Sequence, residues 1–425
     1  MNKKKEIVPK LRFPEFKNNE FWLYDFLGCL STVLRGGSPR PIDEYLTSDT
    51  NSMNWLKIGD VNKEDKYITK TSERVKKQAL DKTRVVHSGD LIMSNSMSFG
   101  RPYLLKISTC IHDGWIAITE INSNVNKEYL YYYILSDISQ IYFMQSAAGG
   151  GIKNLNAEII KKLIVLYPEN IIEQQKIADC LSSLDELIDT ESRKLKALEK
   201  YKKGLMQKLF PAEGKTMPEW RFPEFQDCEE WETVKLEKLA LYRRGSFPQP
   251  YGLPEWYDEK SGMPFIQVFD VDDNMKLKSN TKNKISELAA QQSVFIPKGT
   301  LIITIQGSIG RVAITQYDAY IDRTLLLFEK FFRKIDKTFL AYNLQLLFDI
   351  EKQKAPGGII KTITKQALSE FLTSIPRIEE QEKIAGCLSE VDTMITEQSN
   401  KVEQLKAHKK GLMQGLFPSL EEADV

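Results

Sequence analysis

The chain carries its own pattern twice, and a duplicated pattern restricts a fold more than composition can, because both halves must follow one supersecondary plan. Pro9-Lys10-Leu11-Arg12-Phe13-Pro14-Glu15-Phe16 returns as Pro218-Glu219-Trp220-Arg221-Phe222-Pro223-Glu224-Phe225, an offset of 209 residues that also relates Trp22 to Trp231 and Arg35-Gly36 to Arg244-Gly245. At an offset of 210, Ser88-Gly89-Asp90-Leu91-Ile92 matches Lys298-Gly299-Thr300-Leu301-Ile302, and Gly100-Arg101 matches Gly310-Arg311. Between Glu173–Pro211 and Glu380–Pro418, 22 of 39 positions are identical at an offset of 207, which chance does not produce. A length of 425 residues agrees, since one hydrophobic core rarely serves so long a chain.

Each copy reads as a mixed globular part followed by a long helix. Short β-branched runs such as Asp90-Leu91-Ile92-Met93 and Thr300-Leu301-Ile302-Ile303-Thr304-Ile305 predict strands. Glu128-Tyr129-Leu130-Tyr131-Tyr132-Tyr133-Ile134-Leu135 and Phe339-Leu340-Ala341-Tyr342 predict helices, and helical spacing makes the tyrosines core residues rather than a base-stacking platform. The fold class is α+β: two tandem α/β globular domains and an antiparallel coiled coil of two long helices, related by a pseudo-two-fold internal repeat. The boundaries are 1–168 for the first globular domain, 169–211 for the central helix, 212–376 for the second domain, and 377–425 for the last helix and tail.

Pro168 and Pro376 close the globular parts, and Glu173-Gln174 and Glu380-Gln381 place acid at the positive end of each helix dipole. From there Ile177, Leu181, Leu184, Ile188, Glu191, Leu195, Leu198, Lys202 and Leu205 recur at alternating steps of four and three. The second copy repeats the seam from Ile384 to Leu412, with Gln398 and Lys409 at the same polar places. That is the narrow stripe of a coiled coil, and its partner is the other copy. The midpoints of the two seams are Glu191 and Gln398, so these two residues are expected to face each other and set the register, with Lys202 near Cys387 and Lys409 near Cys180.

The residues most enzymes need are missing from the pattern. There is no Gly-x-x-x-x-Gly-Lys-Ser/Thr phosphate loop, no Asn/Asp-Pro-Pro-Tyr tetrapeptide of the kind that grips a flipped base, and no Phe-x-Gly-x-Gly methyl-donor loop. Asp60 with Glu64-Asp65-Lys66 imitates an acidic nuclease triad, but such groupings arise freely in a chain that is 28% charged. Five cysteines without a Cys-x-x-Cys pair, and three histidines, argue against a disulfide framework or a zinc site, so no metal is expected. No apolar run approaches the length of a membrane span and no apolar segment follows Met1, so the expected compartment is the reducing cytoplasm.

A formal charge of +1 excludes a polybasic binder, yet the charge is segregated. Residues 51–106 hold 11 Lys/Arg against 6 Asp/Glu, and residues 274–315 hold 6 against 1, a local +5 in each copy. Paired basic regions at matching positions suit the phosphates of double-stranded DNA. Within them, Arg35 and Arg244 beside glycines, and Arg101 and Arg311 after Gly100 and Gly310, are candidates for phosphate or guanine. The glycine-rich turns offer Lys153-Asn154 and Lys361-Thr362 for phosphate. Asn95 and Gln306 occupy equivalent positions, and both amides can pair with adenine.

Laid out this way, the chain resembles the specificity subunit of type I restriction-modification systems over nearly its full length. The resemblance rests on two tandem target-recognition-like regions, each closed by a proline. Glu173-Gln174-Gln175-Lys176-Ile177-Ala178 or Glu380-Gln381-Glu382-Lys383-Ile384-Ala385 follows, and the helices end in Lys203-Gly204-Leu205-Met206-Gln207 or Lys410-Gly411-Leu412-Met413-Gln414. Pro168-Glu169 and Pro376-Arg377 depart from the double proline often found there. The resemblance implies a non-catalytic subunit in which each recognition domain reads one half of an asymmetric bipartite DNA site. It also implies two methyltransferase subunits carrying S-adenosylmethionine, and restriction subunits carrying ATP and magnesium, with no cofactor bound by this chain itself. Methyltransferase docking is expected at the helix ends, at Lys203, Gly204, Met206, Lys410, Gly411 and Met413. The competing readings are a nuclease or methyltransferase with an unrecognised motif, and a coiled-coil scaffold with no role on DNA.

Overall fold

A computed structural model describes residues 7–19, 21–95, 99–147, 155–354 and 363–418. Contacts divide the chain into two compact units: Met1–Glu191 with Lys401–Val425, and Ser192–Asn400. The division passes through the middle of both long helices, Ile171–Leu209 and Ile378–Leu416, each 39 residues and about 58 Å long at 1.5 Å per residue.

In the first unit, one five-stranded sheet runs in the order Thr32–Arg35, Trp115–Thr119, Leu91–Ser94, Pro102–Leu105, Tyr67–Ile68. A second runs Leu46–Thr47, Glu73–Val75, Met53–Leu56, Thr109–Ile111, Arg84–Val86. Leu91–Ser94 and Pro102–Leu105 are buried along their whole length, which is why they read as continuous apolar runs instead of alternating ones. Leu23–Phe26 pairs antiparallel with Ile164–Tyr167 and joins the start of the unit to the strand that precedes the long helix.

The tyrosine tract forms the helix Lys127–Leu135, opened by Asn126, whose side chain accepts the N–H groups of Glu128 and Tyr129. Tyr129, Tyr131, Tyr132 and Tyr133 are at most 2% exposed and belong to the core. The Tyr129 and Tyr133 hydroxyls donate to the carbonyls of Leu166 and Ile164 at 2.6 and 3.0 Å, satisfying groups that burial would otherwise leave costly. Against the same rings packs Phe417, with centroids 5.6 Å from Tyr129 and 5.5 Å from Tyr133, so the end of the chain completes the core of its beginning.

The second unit repeats the plan with four-stranded sheets: Ala240–Arg244, Leu325–Phe331, Leu301–Thr304, Val312–Ile314, and Asn283–Ile285, Met263–Ile266, Ala319–Ile321, Val294–Ile296. Glu232–Lys235 pairs with Leu372–Ile375, and the helix Lys337–Lys354 takes the place of the tyrosine helix. Here Phe210, at the end of the first long helix, stacks on Phe339, with centroids 5.2 Å apart.

Each unit contains part of both long helices, running antiparallel. In the first, Asp185 meets Lys409 and Glu191 meets Lys401; in the second, Lys202 meets Asp392 at 2.7 Å. Both seam lysines thus reach carboxylates five residues beyond the cysteines named by the midpoint register. Lys202 and Lys409 are only 13% and 17% exposed, so they are held in ion pairs and do not snorkel to water. Gln398 is buried, at 6% exposure.

Candidate nucleic-acid interface

Strand register gathers the candidate residues at one end of a sheet in each unit. In the first, Arg35 lies opposite Ile116, Ser94 opposite Trp115, and Arg101 follows the turn that returns to Pro102, opposite Met93. Arg35 is exposed, and its Nε donates to the carbonyl of Asp113 at 3.0 Å. The Asn95 amide donates to that same carbonyl at 3.0 Å and is buried, so it braces the turn from inside. Arg101 lies 5.8 Å over the ring of Tyr103, and its buried Nε has no hydrogen-bond partner among the described residues.

Asp113 also gathers groups that sequence reading passed over. Its carboxylate accepts from Ser38 at 3.0 Å, stands 3.0 Å from His112 Nε2, and lies 3.6 Å from the outward-facing Arg40. His112 Nδ1 accepts the Gly114 N–H at 2.8 Å.

In the second unit, Arg244 lies opposite Leu326, Thr304 opposite Leu325, and Arg311 beside Val312, the partner of Ile303. Arg244 is exposed and has no ion-pair partner among the described residues, while Gln306 is half-buried. Arg311 is engaged: Nε and Nη2 hold Asp273 at 2.8 and 3.2 Å, and Nη1 donates to the Val271 carbonyl at 2.9 Å. These residues border a cleft of about 670 Å³ that also takes in Phe269, Lys278 and Ser308. The position matching Asp273 in the first copy is Lys63, so Arg101 has no equivalent carboxylate. At the place of His112, Asp322 accepts from Tyr251 and Thr324, and Arg323 covers the Tyr251 ring at 4.9 Å.

Lys153, Asn154, Lys361 and Thr362 lie outside the described residues. The residues that follow them are fixed to the same sheet ends: Leu155 N–H donates to the Asn95 carbonyl at 3.0 Å, and Ile363 N–H to the Ile305 carbonyl at 3.4 Å.

At the far ends of the long helices, Lys203 and Lys410 are exposed, and a Cβ added to Gly204 or Gly411 would meet nothing within 4 Å. Both glycines lie inside their helices, which continue to Leu209 and Leu416. Met206 is buried in the second unit's core, and Met413 is half-buried against the first unit's core, so both thioethers serve packing.

Two devices join each globular part to the coil. Arg12 donates to both carboxylate oxygens of Glu173 at 2.8 Å, and Arg221 does the same to Glu380 at 2.8 and 2.7 Å; both glutamates are 1% exposed. Trp231 Nε1 adds a third donor to Glu380 at 3.3 Å. Second, Tyr132 donates to Asp185 at 2.8 Å, while Lys409 binds the other oxygen and lies over the Tyr132 ring. Tyr342, Asp392 and Lys202 repeat this group in the second unit. Burial, with the nearby carboxylate, holds the Tyr132 and Tyr342 hydroxyls protonated far above the ordinary tyrosine range. The signal for these contacts was present in the sequence, as residue types preserved in both copies amid changed surroundings.

The acidic cluster resolves into separate structural bonds. Asp60 caps Lys57 and binds Ser72, Asp65 caps Asn62, and Lys66 bridges Glu128, Tyr132 and Ser182. Among the described residues no group of three or more His, Cys, Asp or Glu side chains could hold a metal ion, and no helix is long and apolar enough to cross a membrane.

Residues 30–200 and 228–407 match the model of the type I restriction modification DNA specificity domain. The chain is 27% identical over 357 residues to a putative type I restriction enzyme MjaX specificity subunit of Methanocaldococcus jannaschii, covering 80% of each chain. It is 24% identical over 352 residues to the MjaVIII specificity subunit of the same organism, covering 78% of this chain and 79% of the relative. The fold resembles that of the S subunit of a type I restriction-modification system from M. genitalium, with a TM-score of 0.60 and 17% identity over 97% of this chain and 100% of the other.

Proposed function

The chain belongs to the type I restriction-modification DNA specificity family, whose members recognise DNA and do not catalyse, and we propose that it reads an asymmetric, two-part site on double-stranded DNA, one part with each unit. The observation that carries this reading is the duplicated sheet end. The same strands present Arg35, Asn95 and Arg101 in one copy and Arg244, Gln306 and Arg311 in the other. One scaffold with two sets of side chains suits two different half-sites. The exposed arginines are assigned to phosphate or guanine and Gln306 to a base edge, while Lys153, Asn154, Lys361 and Thr362 are assigned to phosphate on their residue types alone. Asn95 acts by holding the turn that carries its neighbours.

Two methyltransferase subunits carrying S-adenosylmethionine dock at Lys203–Gly204 and Lys410–Gly411, where the copies agree and the helix backbone is open to close approach. Restriction subunits with ATP and magnesium complete the assembly, in the cytoplasm.

Methylome sequencing of cells that express the chain with its methyltransferase tests this. Replacing residues 20–165 with the equivalent domain of a relative is expected to change one half-site and leave the other intact. A change in both half-sites together refutes the two-reader model.

A further inference from the structure

The second half of the first long helix has a charge distribution that DNA reading at the sheet ends leaves unexplained. Between Ser192 and Leu209 it carries seven cations and one carboxylate, Glu199. Lys202 is spent on Asp392, and Lys208 lies 3.6 Å from Glu219. Arg193, Lys196, Lys200 and Lys203 are all exposed. At 3.6 residues per turn their directions fall within one sector of roughly 80°, forming a stripe about 15 Å long. The three lysines have no ion-pair partner among the described residues.

Such a row is unfavourable by itself. Neighbours three and four residues apart on a helix face repel when they carry like charge, and an ordinary solvated face intersperses the two signs. The repeat supplies an internal comparison, because the equivalent positions in the second long helix are Asn400, Glu403, Ala407 and Lys410. Four cations in one copy correspond to no net charge in the other. The shared helix plan therefore does not require the stripe.

We propose that Arg193, Lys196 and Lys200, the part of the row that ends before the docking site at Lys203–Gly204, form a track for the phosphate backbone of duplex DNA outside the recognised bases. This rests on the DNA-reading function proposed above. Two observations favour DNA over a protein occupant. Identical partners docking on both copies would need the same face twice, and this face exists once. Lysine is also depleted from protein interfaces, which depend on a desolvated aromatic or aliphatic centre; the sector of the cations holds no such side chain, Ala197 and Glu199 flank it, and the exposed Tyr201 lies roughly 80° outside it. A polyanion relieves the repulsion without any such anchor, and its affinity derives from counterion release.

The test uses the full chain assembled with its methyltransferase. Affinity for DNA carrying the cognate site, and for DNA with both half-sites scrambled, is measured across a salt series for the parent, for Lys196→Gln/Lys200→Gln, and for Lys194→Gln, an exposed lysine off the stripe. The double variant is expected to bind both DNAs more weakly, with a salt slope shallower by about 1.8, while Lys194→Gln matches the parent. Its deficit then shrinks about tenfold between 50 and 200 mM salt. Unchanged slopes for the double variant overturn the track, and unchanged slopes with a weakened methyltransferase complex in native mass spectrometry assign the stripe to a protein partner instead. A parent complex that fails to distinguish cognate from scrambled DNA overturns the recognition function itself, a separate result.

Discussion

Removing Arg221 tests how the readers are held to the coil. The Glu380 carboxylate is 1% exposed and is satisfied by two bonds from Arg221 and one from Trp231. Arg221→Met keeps most of the side-chain volume but leaves that carboxylate with the indole N–H alone. Breaking a buried pair from one side costs about 3–5 kcal/mol, because the remaining charge is stranded away from water. The second unit is a 209-residue stretch, 192–400, and in domains of that size each kcal/mol moves the midpoint by roughly 2–4 °C. Its transition in differential scanning calorimetry should therefore fall by roughly 6–20 °C. The Cys228 and Glu229 carbonyls lose their Arg221 donors in either variant. Arg221→Met/Glu380→Met removes both charges and beyond these carbonyls leaves Trp231 Nε1 unpaired, a cost of about 1–3 kcal/mol, so the double variant should be more stable than the single one. A single variant that loses less than about 1 kcal/mol, or a double variant less stable than the single, refutes the reasoning.

Burial and a bond to Glu128 raise the Tyr67 hydroxyl to about 12, against roughly 10 in an unfolded chain. The folded state then keeps a proton that the unfolded state gives up, so this contribution is complete below pH 10 and is lost as pH rises towards 12. Urea unfolding at pH 9, 10 and 11 should show a steeper decline for the parent than for Tyr67→Phe, and parallel declines would contradict the assignment. Asp273→Asn should release Arg311 for DNA, steepening the salt dependence of binding by up to about 0.9 while methylation at the first half-site stays unchanged. Identical salt slopes for parent and variant would show that the guanidinium does not reach phosphate.

Local periodicity made the repeat, the strands around Leu91 and Leu301, both long helices and the apolar seam legible, because those signals lie within a few turns of chain. It also identified the tyrosines as core, since their spacing is that of a buried helix face. Arg12 and Glu173, 161 residues apart, were each visible as repeated residues, but no spacing rule joins them. The seam's polar midpoints set a register in the sequence, whereas in the structure the lysines reach diagonally to Asp185 and Asp392, carboxylates on the flank of the seam. A strand-end amide such as Asn95 has the same letter whether it faces outward or, as here, donates to a carbonyl across the sheet end.

The seat of Phe417 has a consequence for how the chain is made. The second unit is one unbroken stretch, while the first is assembled from residues up to 191 and from 401 onward. At about 5–20 residues per second a ribosome needs roughly 10–40 s to cross the interval between them. Throughout that time the nascent first reader presents Tyr129 and Tyr133 with their closing aromatic ring not yet synthesised. The reader translated first is the last to mature, and the contiguous one can close ahead of it. A message cut short anywhere before the final helix yields a polypeptide whose first reader stays open. Synthesis must therefore run through Phe417 before the first unit can bury those two rings as the finished protein does.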